Sequence, residues 1–237
     1  YMPNPFFQFK KFTVYHDKCA MKVGTDGVLL GAWASVENAR RILDIGTGTG
    51  LIALMLAQRS DASVVGVDID EAAVEQAREN IERSEWKSRI VVEHKDVRDL
   101  SGEKYGLFDV IVSNPPYFTE AVYCPDKQRN TARHMDSLPF DELLQAVDRL
   151  LAEEGCFSVI LPSGVAPDFI ANALHYRLYL CRQTFVHTKP EAVPKRVLMA
   201  FSRTASECKT EHLVVELARH EYSPEYIALT RDFYLSM

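Results

Sequence analysis

The chain has 237 residues, 47% hydrophobic and 25% charged, with a formal net charge of −6. That balance belongs to a globular protein with a sizeable core, not to a disordered or fibrous chain, and no window approaches the roughly 18 consecutive apolar residues of a membrane span. Five cysteines scattered singly (Cys19, Cys124, Cys156, Cys181, Cys208), without CxxC or Cys/His spacing, argue against a disulfide framework or a bound metal and fit reduced thiols in the cytoplasm.

Tyr1-Met2-Pro3 opens no basic run followed by an apolar core, so no secretory signal is expected. Residues 1–40 read as an N-terminal extension packed on the domain that follows. A hairpin is predicted over Phe9 to Tyr15, then a glycine-punctuated segment, Lys22-Val23-Gly24-Thr25-Asp26-Gly27. Arg41 to Ile45 is a strand that runs into glycines, and Leu51 to Gln58 a helix without a breaker. Val64 to Asp68 is a second buried strand, followed by a charged amphipathic helix over Glu71 to Arg83. Ile90 to Val92 and Phe108 to Val112 are further strands. Phe140 to Leu151 has helical spacing, and Cys156 to Leu161 is a strand closed by Pro162. Strands alternating with helices of this length predict βαβ units and a parallel sheet, an α/β fold. From Tyr179 the pattern changes to three strands without long helices between them: Tyr179 to Thr188, Arg196 to Arg203 and His212 to Leu217. At least two of these should form an antiparallel pair at one sheet edge. With no repeat or linker in view, residues 41–237 read as one domain.

Asp44-Ile45-Gly46-Thr47-Gly48-Thr49-Gly50 sits where a strand turns into a helix. Gly46, Gly48 and Gly50 let the backbone approach a ligand closely. A dinucleotide fingerprint would read GxGxxG; here the spacing is GxGxG, with Leu51 where the last glycine of that fingerprint would fall. The acidic Asp44 ahead of the loop favours a ligand carrying a positive amino group. Asp68 ends the next strand, where a carboxylate can accept both hydroxyls of a ribose. Asp96 follows the third strand, a place to accept a hydrogen bond from an adenine amino group. Three acidic strand ends in register with a glycine loop are hard to reconcile with turn residues alone.

Asn114-Pro115-Pro116-Tyr117 closes the fourth strand. Two prolines remove two backbone donors and stiffen the turn, leaving the Asn114 side-chain oxygen and the Pro115 carbonyl to accept from one target. That target suits an NH2 group conjugated to a ring or carbonyl, whose lone pair is delocalised. Accepting both N–H bonds draws the nitrogen toward tetrahedral geometry and frees the lone pair for attack, without a strong base. Tyr117 offers a face on which an unstacked base can lie.

The series Asp44-x-Gly46-x-Gly48-x-Gly50, Asp68, Asp96 resembles the class I methyltransferase pattern over about residues 40 to 165. The resemblance implies S-adenosylmethionine as cofactor, S-adenosyl-L-homocysteine as product, and a Rossmann-like fold. Its sheet would be mostly parallel and seven-stranded, with an antiparallel C-terminal edge and helices on both faces. Ile69 and Val97, next to the two later aspartates, would complete the cofactor site. Asn114 to Tyr117 resembles the motif of enzymes that methylate adenine N6, guanine N2 or a protein glutamine.

The ends resemble the bacterial tRNA1(Val) (adenine-37 N6)-methyltransferase family. The matching segments are Phe7 to Phe12, Met21 to Trp33, Thr131-Ala132-Arg133-His134, and Lys189-Pro190 to Arg196-Val197-Leu198. This implies a tRNA substrate and places Thr25 and Asp26 at the methionine end of the cofactor. Arg133 and His134 would contact RNA or order the loop after Tyr117, or serve only as surface. A release-factor glutamine N5-methyltransferase usually carries a separate helical N-terminal domain, for which forty residues leave no room. A ribosomal RNA guanine N2-methyltransferase often pairs two methyltransferase-like domains. A non-catalytic nucleotide-binding module would not need the tetrapeptide. No obligate protein partner and no membrane are implied. The acidic net charge sits awkwardly with RNA, but Lys10-Lys11 with Lys18, Lys127-Arg129-Arg133 and Lys189-Lys195-Arg196 are local basic clusters able to meet phosphates.

If Tyr117 stacks on a base, Tyr117→Ala should lower methyl transfer by about 10- to 100-fold, in keeping with the roughly 1–3 kcal/mol of such a stack. Tyr117→Phe should retain most of the activity. Equal loss in both variants would assign the role to the hydroxyl.

Overall fold

A computed structural model of the chain describes residues 2–116 and 138–237. Tyr117, the Lys127-Arg129-Arg133 cluster and Thr131 to His134 lie outside the described residues. The N-terminal hairpin pairs β1 (Phe6–Gln8) with β2 (Thr13–Tyr15), and its turn is closed by Phe9 N donating to Phe12 O at 2.8 Å. Phe9 and Phe12 stack with ring centroids 4.9 Å apart and are buried with Val14 against Trp86 and Phe233.

Helix α1 (Thr25–Trp33) leads into β3 (Arg41–Ile45), α2 (Leu51–Gln58), β4 (Ser63–Asp68), α3 (Glu71–Glu82) and β5 (Ile90–His94). After a 3-10 turn at Val97–Asp99 come α4 (Gly102–Tyr105), β6 (Phe108–Ser113), α5 (Phe140–Leu150), β7 (Leu151–Pro162) and α6 (Ala166–Leu174). The remainder is β8 (Tyr179–His187), β9 (Arg196–Ser202), β10 (Lys209–Val214), a small hairpin of β11 (Glu216–Ala218) with β12 (Glu221–Tyr222), and α7 (Pro224–Thr230).

The main sheet runs β10-β8-β9-β7-β6-β3-β4-β5. Four of the five β3 residues are buried, as a strand covered on both faces must be. Alternation divides the apolar residues between two cores. Ile42, Val110 and Leu198 face the side covered by α1, α2 and α3, while Leu43, Ile111 and Phe157 face α5 and α6. Among the described strands of this sheet β9 alone is reversed, antiparallel to both β7 and β8. The expected antiparallel edge is present, with one strand more than seven: β10 adds to β8 in parallel. It begins three residues earlier than its apolar residues indicate, because edge pairing there uses Lys209, Thr210 and Glu211.

Helix α1 is not legible in the sequence. Its residues Gly27 to Trp33 are all buried, so there is no polar face to set a helical period. It lies close on α2, where a Cβ at Gly31 would meet Met55 Sδ at 2.5 Å, and Trp33 Nε1 donates to Thr184 Oγ1 on β8 at 2.9 Å.

Gly31→Ala should therefore destabilise the fold by about 1–3 kcal/mol in urea unfolding, the usual cost of overpacking. Gly164→Ala, where a Cβ meets open space, should change stability by less than about 1 kcal/mol. Equal stability of the two variants would contradict the close α1–α2 packing.

Candidate functional site

The C-terminal ends of β3, β4, β5 and β6 converge on one side of the sheet, where open α/β sheets bind ligands. Gly46, Gly48 and Gly50 have φ of 73°, 55° and 84°, left-handed values that residues with a Cβ resist. The loop folds back on β4. Gly46 N and Thr47 N both donate to Val67 O, at 2.9 and 3.0 Å, and Gly50 N donates to Thr47 O at 2.8 Å. This approach requires Gly66, where a Cβ would stand 2.8 Å from Thr47 Oγ1.

Thr47 Oγ1 donates to Asp44 Oδ2 at 2.8 Å. Asp44 is 1% exposed, and its Oδ1 has no hydrogen-bond partner among the described residues. Burial, with a smaller contribution from the nearby Asp68, pushes its pKa up to about 7. Asp68 is part-buried at the end of β4. Its Oδ2 accepts from Gly48 N at 2.9 Å and its Oδ1 from Asp70 N at 3.0 Å. Burial raises its pKa too, against those two hydrogen bonds. Asp96 accepts from Arg98 Nε at 3.0 Å on both oxygens and from Arg98 Nη2 at 2.6 Å, which holds its pKa below the usual value.

Two adjoining pockets meet at Met21, Gly46, Gly48, Asn114, Pro115 and Pro116. One continues over Asp68, Ile69, Asp96 and Val97; the other continues over Thr25, Asp26 and Thr49. The end of β6 is fixed by Ser113 Oγ donating to Ile45 O at 3.0 Å. Beside it, a Cβ at Gly27 would lie 3.9 Å from Asn114 Nδ2, so the first turn of α1 passes close to the Asn114 amide. Asp26 in that turn accepts from Arg196 Nε at 3.0 Å. Gly50 faces Ala77 of α3 and not the pockets, a packing position at the start of α2. Tyr117 lies outside the described residues.

Cys19, Gln76 and Asn80 belong to no motif singled out in the sequence. The segment from Tyr15 to Val23 crosses α3 and brings Cys19 and Met21 to the pocket wall. Two buried amides of α3 hold it. Asn80 Oδ1 accepts from Tyr15 N at 2.9 Å, and its Nδ2 donates to Tyr15 O at 2.9 Å and to Thr49 O of the glycine loop at 2.8 Å. Gln76 Oε1 accepts from Lys18 N at 2.8 Å. A signal for them does exist in the helical spacing: Gln76 and Asn80 are four apart, on the face that carries Ala73, Ala77 and Ile81.

An unpartnered buried carboxylate oxygen, and a Gly46 position where a Cβ would meet nothing within 4 Å, fit a ligand with a cationic amino group lying along the loop. Among the described residues no group of three or more His, Cys, Asp or Glu is placed to hold a metal ion.

A family model described as a methyltransferase domain matches residues 37–204. The chain is 60% identical to a tRNA1(Val) (adenine(37)-N6)-methyltransferase of Phocaeicola vulgatus, with 100% of each chain covered. Proteins of the same name in Flavobacterium johnsoniae and Citrobacter koseri are 49% and 47% identical. Each aligns over 98% of this chain, covering 100% and 95% of its own length. Among solved structures, a predicted O-methyltransferase from Agrobacterium tumefaciens superposes with a TM-score of 0.70 at 21% identity, over 88% of this chain and 96% of the other. A ribosomal protein L11 methylase from Lactobacillus delbrueckii gives 0.52 at 18% identity, over 76% and 78%. These two share the fold.

The state of Asp44 makes a prediction about pH. If the amino group of S-adenosylmethionine lies beside Asp44 it favours the carboxylate, so below about 7 binding must displace a proton, and affinity should rise with pH up to that point. An α-amino group loses its own charge near about 7.7–8.0, so affinity should decline again above that. Calorimetry at pH 6, 7.5 and 9 should show the maximum in the middle, and Asp44→Asn should abolish the acidic limb. In the free protein the sign is opposite: Asp44 ionises first in the unfolded chain, so its contribution to stability falls as pH rises from about 4 to about 7. A cofactor affinity independent of pH would remove Asp44 from the amino-group site.

Proposed function

The chain belongs to the tRNA1(Val) (adenine(37)-N6)-methyltransferase family, and we propose that it methylates the exocyclic N6 of adenine 37 in tRNA1(Val). The observation that carries this reading is the meeting of two pockets at Asn114, Pro115 and Pro116, in a chain 60% identical along its whole length to a relative of that name. The glutamine N5 and guanine N2 alternatives share the tetrapeptide, and the full-length relatives do not favour them.

When bound, S-adenosylmethionine supplies an electrophilic methyl group and becomes S-adenosyl-L-homocysteine. Asp44 would take its amino group, Asp68 its ribose hydroxyls, and Gly46 and Gly48 would let it lie against the loop. Ile69, 39% exposed, and Val97 would flank the adenine. Asp96, whose two oxygens accept from the Arg98 backbone N, Nε and Nη2, would exchange one of these bonds for the amino group of that adenine. Thr25 and Asp26 would close the methionine end.

On the acceptor side, the Asn114 side-chain oxygen and the Pro115 carbonyl would accept the two N–H bonds of the target amine. Pro115 has no N–H with which to compete. Localising the lone pair and holding the amine in line is mainly catalysis by orientation. The acidic proton would pass to solvent after methyl transfer, and the site requires no metal. The substrate is tRNA, and the reaction would take place in the cytoplasm without an obligate protein partner. No helix among the described residues is long and apolar enough to cross a membrane.

The test is transfer of a labelled methyl group to unmodified total tRNA, followed by nucleoside analysis. N6-methyladenosine confined to a valine tRNA is expected. Label only in release factor or ribosomal RNA would overturn the substrate. Asn114→Ala should reduce turnover by on the order of 100-fold or more, the scale on which removal of a single positioning hydrogen bond acts. The dissociation constant for the cofactor should stay within about twofold, because Asn114 acts on the acceptor. Loss of cofactor affinity instead would make the segment part of the cofactor site.

A further inference from the structure

Both β7 and β8 run antiparallel to β9. The turn between β8 and β9 therefore opens on the same sheet edge as Asn114. In the sheet, β6 is followed by β7, β9 and β8, so this turn stands a few strand spacings from the acceptor pocket. Its residues 188–191, Val193 and Lys195 are exposed, Val193 to 80%.

The turn is held from several sides. Ser163 N donates to Lys195 O at 3.0 Å and Ser163 Oγ to Pro194 O at 2.8 Å. His187 Nδ1 donates to Ala192 O at 2.8 Å, and Ala192 N to Lys189 O at 3.1 Å. The next residue, Arg196, is tied through Asp26 to the turn of α1 beside Asn114. Lys189 and Lys195 are thus exposed cations on a fixed backbone at the edge that carries the acceptor pocket.

The basic groups of the N-terminal segment, Lys10, Lys11 and Lys18, are placed differently. Lys10 Nζ donates to Arg231 O and Met237 O, and Lys18 is paired with Glu75 and Glu79. Lys10 and Lys11 also share a groove with Arg83 at the far end of α3, on the opposite sheet edge. Around the cofactor pocket the strand ends carry Asp44, Asp68, Asp70 and Asp96, and Arg98 there is bound by Asp96 and Glu142. A polyanion approaching this edge meets mainly carboxylates on the β3–β5 side, with Lys95 an exposed cation among them. On the β9–β8 side it meets two lysines against the carboxylate of Glu191.

We propose that the β8–β9 turn is a docking surface for the sugar–phosphate backbone of the RNA substrate, with Lys189 and Lys195 contacting phosphates that flank the target adenine. Val193 between them gives apolar contact to a ribose or base edge. The proposal rests on tRNA being the substrate.

Lys189→Ala, Lys195→Ala and the double variant test it, with Lys104→Ala as an exposed control on the opposite edge. Binding of unmodified tRNA would be followed across a salt series, with methyl-transfer kinetics alongside. Each lysine removed should raise the KM for tRNA several-fold and reduce the slope of log affinity against log salt by about 1. The cofactor dissociation constant and kcat at saturating tRNA should stay unchanged, and Lys104→Ala should match the wild type. Unchanged KM and slope in the double variant, in an enzyme that still methylates tRNA, would overturn the docking surface and leave the function standing. A wild-type protein that methylates no tRNA would overturn the function itself.

Discussion

The site depends on how closely the glycine loop can lie against β4. Gly46 N and Thr47 N converge on the single carbonyl of Val67, and the space for this exists because residue 66 has no side chain. From that contact the rest follows by geometry. Thr47 reaches back to Asp44, Gly48 N reaches Asp68, and the Thr49 carbonyl is presented to Asn80. Three acidic or amide side chains from β3, β4 and α3 are thereby set in fixed relation to one loop. A shift of the loop by a fraction of an ångström would loosen all of these bonds together.

This coupling makes the N-terminal segment part of the working site. Asn80 makes three hydrogen bonds, using both amide protons, to two separate stretches of backbone, Tyr15 and Thr49. A buried amide with a missing partner is costly, about 1–3 kcal/mol, so ordering of the loop and ordering of the segment favour one another. The same segment then carries Cys19 and Met21 onto the pocket wall. Residues far upstream of the glycine loop are thereby tied to the pocket through α3, a structural route that no contiguous motif records.

The central strands are legible in the sequence because they are buried on both faces and bounded by glycines or proline. The acidic strand ends are legible because a carboxylate set beside a glycine turn at the end of a buried strand points to a ligand more directly than to a helix cap. The geometry also brings Asp68, Asp96, Ile69, Val97 and Asn114 to one connected cleft, with Asp44 buried and bonded to Thr47 of the glycine loop. Helix α1 escapes such a reading, because a helix apolar all round loses its period, and so does Gly66, because a glycine inside a strand looks like a weakness until its neighbour is known. The buried amides of α3 escape for a related reason. On a charged helix two more polar residues draw no notice, and only packing reveals that they face inward.

Bulk charge misleads in a way the structure accounts for. A net charge of −6 averages over two functions that occupy one sheet edge. Binding a ligand with a cationic amino group is served by buried carboxylates, and burial pushes the pKa of Asp44 up to about 7, which lessens the negative charge it carries near neutral pH. Binding a nucleic acid backbone needs exposed cations, and only a few are required when they are fixed close to the reacting base. The strand order separates the two demands. The carboxylates stand at the ends of β3, β4 and β5, and the lysines stand past β7 on the turn that follows β8. With a Debye length of about 8 Å at physiological ionic strength, each group acts chiefly on what lies beside it. An acidic protein can therefore present a locally basic surface to RNA, and the sum of its charges carries little information about its partner.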